Sequence, residues 1–201
     1  MGIRGWSGKP AHPPLTDFPI VCYLLTALFD VISKILGPDN TGKFTGRDFK
    51  QAATFVLAAG FIVSLGTALT GFWDWWKGVD RDSSTGILGK AQHTQVWRTA
   101  NWHMTIMLTT TAVVIVDLIV RWGELTADPY TSTSVGVMIL SIIAAALVTF
   151  GAGYGGELVF DYQFNVESLK GSTVWDETEA DQLPADRSKP QPPSSAPPPA
   201  S

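Results

Sequence analysis

Charged residues are unevenly spread along the chain, and the gaps between them define its elements. Between Phe18 and Leu36 only Asp30 and Lys34 interrupt an apolar run, which Gly37-Pro38 then ends. Ala52–Trp73 and Val135–Tyr154 carry no charge, and Met104–Val120 carries only Asp117. A bilayer core about 30 Å thick needs about 20 apolar residues of helix. Two windows meet that length outright, and the other two meet it when their polar ends reach the interface. One soluble helix this apolar would be unusual. Four of them argue for an all-α, integral membrane four-helix bundle, with helices over about 18–36, 52–73, 97–122 and 134–155.

The segments outside the windows complete the layout. In "HPPLTDFPI" (12–20) two prolines hold the chain extended after His12, Thr16 can cap a helix, and Pro19 falls in its first turn. Residues 1–16 therefore read as an extended N-terminal lead-in to a transmembrane domain over 17–166. The first window lacks a compact basic segment directly before it and a small-residue cleavage site after it, so it reads as a retained helix rather than a signal peptide. After helix 4 the chain turns acidic, then becomes "PADRSKPQPPSSAPPPAS". That composition cannot bury a core, so 167–201 is expected to be a disordered tail.

Composition narrows the function classes. Only 16% of residues are charged, against roughly 25% in soluble domains. The single cysteine, Cys22, excludes an internal disulfide framework and any Cys-based zinc or iron–sulfur site. It is expected to pack as a small hydrophobe. A net charge of −4 without a basic cluster argues against nucleic acid as a partner. The lipid bilayer, in a cell membrane crossed several times, is the expected surrounding.

Parity then assigns residues to membrane faces. In an up-down bundle the starts of helices 1 and 3 and the ends of helices 2 and 4 share one face. That puts His12, Asp17, Asp74, His93, His103, Glu157 and Asp161 together, and all 3 histidines of the chain are among them. Both chain ends fall on this face as well. Arg4, Lys9, Lys77, Arg81, Lys90, Arg98 and Lys170 lie there, against Lys34, Lys43, Arg47, Lys50 and Arg121 opposite. The small excess favours the histidine face as cytoplasmic. Trp73, Trp75, Trp76, Trp97, Trp102 and Trp122 cluster at helix ends, as an interfacial belt does.

Small residues mark the packing faces. Gly60, Ser64 and Ala68 recur every four residues, as do Thr67 and Gly71, and Gly151 and Gly155 close helix 4. In lipid such residues let backbones approach, so they are expected to line the bundle interior or a homo-oligomer interface. Asp30 with Lys34, and Asp117 with Arg121, are four apart and near helix ends, where each pair can satisfy itself on its own helix.

The histidines carry the candidate chemistry. His103 opens helix 3 and His12 is held by prolines; imidazole binds haem iron, zinc or copper, with Asp17, Asp74 or Glu157 able to orient a ring. His93 is an alternate ligand, but it lies about 15 Å along the helix axis from His103, too far to share one metal with it. The competing reading makes the histidines polar links between helix ends. No catalytic residue is assigned: no nucleophile has plausible partners, and the glycines of "GAGYGGEL" leave a helix instead of cradling a phosphate.

The opening HP-xxxx-FPI (His12, Pro13, Phe18, Pro19), "TGFWDW" ending helix 2, a histidine opening helix 3 and GG-x-LV (Gly155, Gly156, Leu158, Val159) after helix 4 occur together. In these the chain resembles a prokaryotic family of predicted membrane proteins, domain of unknown function 2231, over roughly His12 to Val166. Asp30, Gly71, Asp74 and Tyr162 also match. The resemblance implies a four-helix membrane protein, and some relatives carry Rieske or c-type cytochrome domains on the same chain, which suggests electron-transfer chains. Many relatives have a histidine where this chain has Asp17. The expected function is a non-catalytic subunit or scaffold of membrane complexes, with respiratory ones in view. The alternative is a b-type haem or metal-binding electron-transfer module using His12 and His103.

Overall fold

The computed structural model describes residues 11–38, 43–78, 95–128 and 130–164. Four helices account for nearly all of them: α1 His12–Leu36, α2 Gly46–Gly78, α3 Gln95–Ala127 and α4 Val135–Phe160. Each is long and apolar enough to cross a membrane, so the expected all-α, membrane-spanning architecture stands. The expected tail over 167–201, residues 1–10 of the lead-in, and His93 lie outside the described residues.

The helices pack as two hairpins. α1 lies most closely against α2 and α3 against α4, while α1–α4 and α2–α3 contacts join the hairpins. Outward positions are large and apolar, among them Phe55, Ile62, Leu69, Ile119 and Phe150. A soluble monomer does not display apolar surface on that scale, and contact with lipid explains it. Inward positions are small or polar: Thr26, Ser33, Ser64, Thr67, Thr110 and Ser141 are buried beside Ala53, Ala144 and Ala145. No hydrophobic force separates helix–helix from helix–lipid contact, so close backbone approach and hydrogen bonds decide which face turns in. Cys22 packs with Tyr23, Leu57, Val114, Ala144 and Val148 at the centre, as a small hydrophobe does.

Helix α1 begins earlier than expected, and this corrects the extended lead-in. His12 is its first residue, with Ala11 at the N-cap and Pro13 and Pro14 in the first turn. First-turn N–H groups have no helical acceptor, so prolines there cost nothing. Thr16 does not cap; its hydroxyl donates to the Pro13 carbonyl at 2.6 Å. Pro19 consequently sits inside the helix. It has no N–H to offer the carbonyl of Leu15, and the Thr67 hydroxyl of α2, shared with the Val63 carbonyl, reaches that carbonyl instead.

The other helices also run past their apolar windows. Thr45 and Asp48 cap α2 reciprocally: the Thr45 amide donates to Asp48 Oδ2 at 2.8 Å, and the Asp48 amide to Thr45 Oγ1 at 3.4 Å. Polar residues preceding Ala52 are thereby part of the helix. Ser134 caps α4 through the Val137 amide at 3.3 Å.

Candidate functional site: a histidine pair joining two hairpins

His12 opens α1 and faces α2. Its Nδ1 lies 3.0 Å from the Thr67 carbonyl. A carbonyl only accepts, so Nδ1 carries the proton and Nε2 keeps its lone pair. His103 of α3 repeats the arrangement against α4, with Nδ1 2.8 Å from the Gly151 carbonyl. The two rings meet at the junction of the hairpins, their centroids 6.2 Å apart and their planes at 79°.

Glycines make room for both rings. A Cβ on Gly71 would stand 2.5 Å from His12 Cε1 and 2.9 Å from Nδ1, and one on Gly155 would stand 3.1 Å from His103 Cε1. Gly151 receives Met107, whose Sδ a Cβ would meet at 2.6 Å. Gly60 lies against Cys22 and Tyr23, and Ser64 is buried. Ala68, by contrast, is exposed. A strict four-residue repeat drifts about 40° round the helix at each step, so the inward seam of α2 alternates its spacing: Gly60, Ser64, Thr67, Gly71, Asp74.

The residues expected to orient the rings separate. Asp17 is exposed, and it lies about 140° round α1 from His12. Glu157 is exposed too, about 160° from Gly155 on the side of α4 turned from His103. Asp74 alone lies inward, 5% exposed, one turn beyond Gly71. The backbone carbonyls of Thr67 and Gly151 do the orienting instead, which no side-chain pattern announces. Nearer the helix ends an apolar cluster of Ala100 and Leu158, with Trp75, Val96, Trp97 and Tyr162 packed on it, adjoins the pair.

Charged residues gather at the opposite end of the bundle. Arg121 holds Asp117 of its own helix through Nε at 2.9 Å, the pair expected from the spacing. Its two terminal nitrogens, however, grip both oxygens of Asp30 on α1. The expected Asp30–Lys34 pair is thereby corrected: Lys34 is exposed and Asp30 is fully buried. A planar guanidinium matches a carboxylate two bonds at a time, which an ammonium four residues away on the same helix does not.

No curated protein and no solved structure matches the chain at a significant level. The model of one family, described as "Predicted membrane protein (DUF2231)", matches residues 8–168 and so takes in all four helices and both histidines of the pair. The chain belongs to the DUF2231 family of predicted membrane proteins.

Proposed function

We propose that the protein is a membrane redox module in which His12 and His103 are the axial ligands of a b-type haem. One observation carries this reading: two imidazoles from different hairpins stand 6.2 Å apart, each with Nδ1 committed to a carbonyl and Nε2 left for a ligand. Imidazoles on opposite sides of one metal, at metal–nitrogen distances of about 2.0 Å, have ring centres about 6 Å apart. Among the described residues no group of three or more His, Cys, Asp or Glu could hold a metal. A bare zinc or copper ion would lack ligands there, whereas a porphyrin needs only an axial pair.

The bound haem would supply one-electron transfer. The chain's own part is to present the ligands. The Thr67 and Gly151 carbonyls fix each tautomer and raise the basicity of Nε2. Gly71 and Gly155 admit the rings, and the cluster around Ala100 and Leu158 excludes water beside them.

The second reading is a cofactor-free subunit or scaffold, assembling with respiratory or other membrane partners or with its own copies. It is supported by the direction of the two histidine bonds, each of which ties together the helices of one hairpin, as a polar clip does. In either reading the protein resides in the cell membrane with both termini on the cytoplasmic side. Labelling of cysteines placed at Ser7 and Ser188, in a Cys22→Ala background, checks that topology.

Purification in mild detergent after expression with ample haem and metals separates the two readings. A reduced-minus-oxidised haem spectrum, lost in His103→Ala, supports the redox module. A colourless, metal-free protein that co-migrates with other membrane proteins on native gels leaves the scaffold.

A further inference from the structure

The second buried polar centre uses none of the histidines and stands apart from the haem reading. It draws on every element at its end of the bundle: Asp30 of α1, Lys50 of α2, Asp117, Arg121 and Glu124 of α3, and Thr131 and Thr133 of the segment entering α4. α4 itself brings no charged side chain here, since its only one, Glu157, is near its far end. Asp30, Asp117 and Arg121 are each 0% exposed and Lys50 is 1% exposed. Along α1 the centre lies about 27 Å from His12, close to the thickness of a bilayer core.

Its charges do not balance. Arg121 faces both Asp30 and Asp117, while Lys50 faces Glu124 at 3.5 Å and the Thr131 hydroxyl at 3.0 Å. Lys50 is thus committed to the partly exposed Glu124, and around Arg121 two fully buried carboxylates meet one cation, leaving one negative charge in excess there. An uncompensated charge in a low-dielectric interior is strongly disfavoured. Two carboxylates sharing one site relieve their repulsion when one takes up a proton.

Hydrogen bonding distinguishes the two aspartates. Asp30 receives both terminal nitrogens of Arg121, and at 3.1 Å the hydroxyl of Thr133 as well. Asp30 is thereby the more fully bonded of the two carboxyl groups. Among the described residues Asp117 receives only Arg121 Nε at 2.9 Å and a longer Nη2 contact at 3.3 Å. Glu124, whose side chain is 25% exposed, is the charged member of this group most open to solvent.

We propose that Asp117 binds a proton inside the Asp30–Arg121–Asp117 cluster, so that this end of the bundle is a buried proton-binding site reached from the α3–α4 side. The proton comes from water on that side and adds to a carboxylate oxygen of Asp117. No other bond changes, and Arg121 remains the counter-charge of Asp30.

Infrared spectroscopy of the full-length protein in lipid tests the assignment. At about pH 6 an ordinary aspartate, with a pKa of about 3.9, is ionised. The wild type should nonetheless show a protonated-carboxyl C=O band that shifts in D2O and on carboxyl-13C labelling of aspartate. Asp117→Asn, which mimics the neutral form, should lose the band and melt close to the wild type. Absence of the band, a band unmoved by aspartate labelling, or one surviving in Asp117→Asn would overturn the proposal. If Asp117→Asn does not fold, Asp117→Glu decides: the band should persist but no longer respond to aspartate labelling, and a band still shifted by that label would overturn the proposal. A missing band, with a melting temperature raised by sodium but not by choline, would place a metal cation where the proton is expected.

Discussion

The Thr67 hydroxyl of α2 shares its one proton between the backbone carbonyl of Leu15 in α1, at 3.2 Å, and that of Val63 in its own helix, at 3.1 Å. The Leu15 carbonyl is the one Pro19, four residues on, leaves without an amide donor. The same threonine offers its own carbonyl to His12, so one residue of α2 repairs the proline gap and fixes the histidine tautomer. Thr67→Val should destabilise the bundle by about 1 kcal/mol, the scale of interhelical hydrogen bonds in membranes. In a Pro19→Ala background the new amide can satisfy Leu15, and the cost of Thr67→Val should shrink. Unfolding in graded sodium dodecyl sulfate over the four variants measures that coupling.

Gly71→Ala should displace the His12 ring. The new Cβ would lie 2.5 Å from Cε1 and 3.0 Å from Nε2, so the ring must move away from α2 and its bond to Thr67 lengthens. Gly66→Ala is the matched comparison, because a Cβ there meets nothing within 4 Å. It should be neutral or stabilise by up to about 1 kcal/mol through helix propensity. Thermal melting of both variants is the check, together with the haem spectrum on the redox reading.

If His12 and His103 hold a haem, the 79° between their ring planes would present the two imidazoles to it crosswise. Low-temperature electron paramagnetic resonance of the oxidised protein should give one strongly anisotropic low-spin signal at low field. Three well-resolved features of ordinary rhombic type would mean near-parallel rings and contradict the geometry.

Arg121→Leu should be among the most damaging single changes in the chain. It strands Asp30 and Asp117, both fully buried, and breaking a buried pair from one side costs about 3–5 kcal/mol. Arg121→Lys should restore little, since a point charge cannot bond both oxygens of Asp30 and reach Asp117 as the guanidinium fork does. Detergent melting curves for the two variants should lie close together and well below the wild type.

The sequence made the membrane helices legible because lipid imposes length and charge rules on each helix separately. The meeting of His12 and His103 was legible for a related reason: helix parity alone brings their helix ends together. What escaped was everything decided between helices. Asp30 was matched to Lys34 by spacing, yet its partner is Arg121, far away in sequence and adjacent only once the hairpins dock. Ala68 was placed on the seam by a four-residue repeat, while the helical period puts Thr67 there. The helix start at His12 was missed because paired prolines read as extended, although a first turn has no use for the donors they lack.

The division of charges between the hairpins has a bearing on how the chain is made. α1 carries Asp30 into the membrane long before Arg121 has been synthesised. Through that interval its carboxylate is best left at the lipid–water boundary, which lies near because Asp30 is close to the end of α1. Arg121 enters with Asp117 already beside it on α3, so the second hairpin brings its own escort and the first does not. Final seating of α1 therefore waits on the second hairpin, which brings both Arg121 and Thr133 to Asp30.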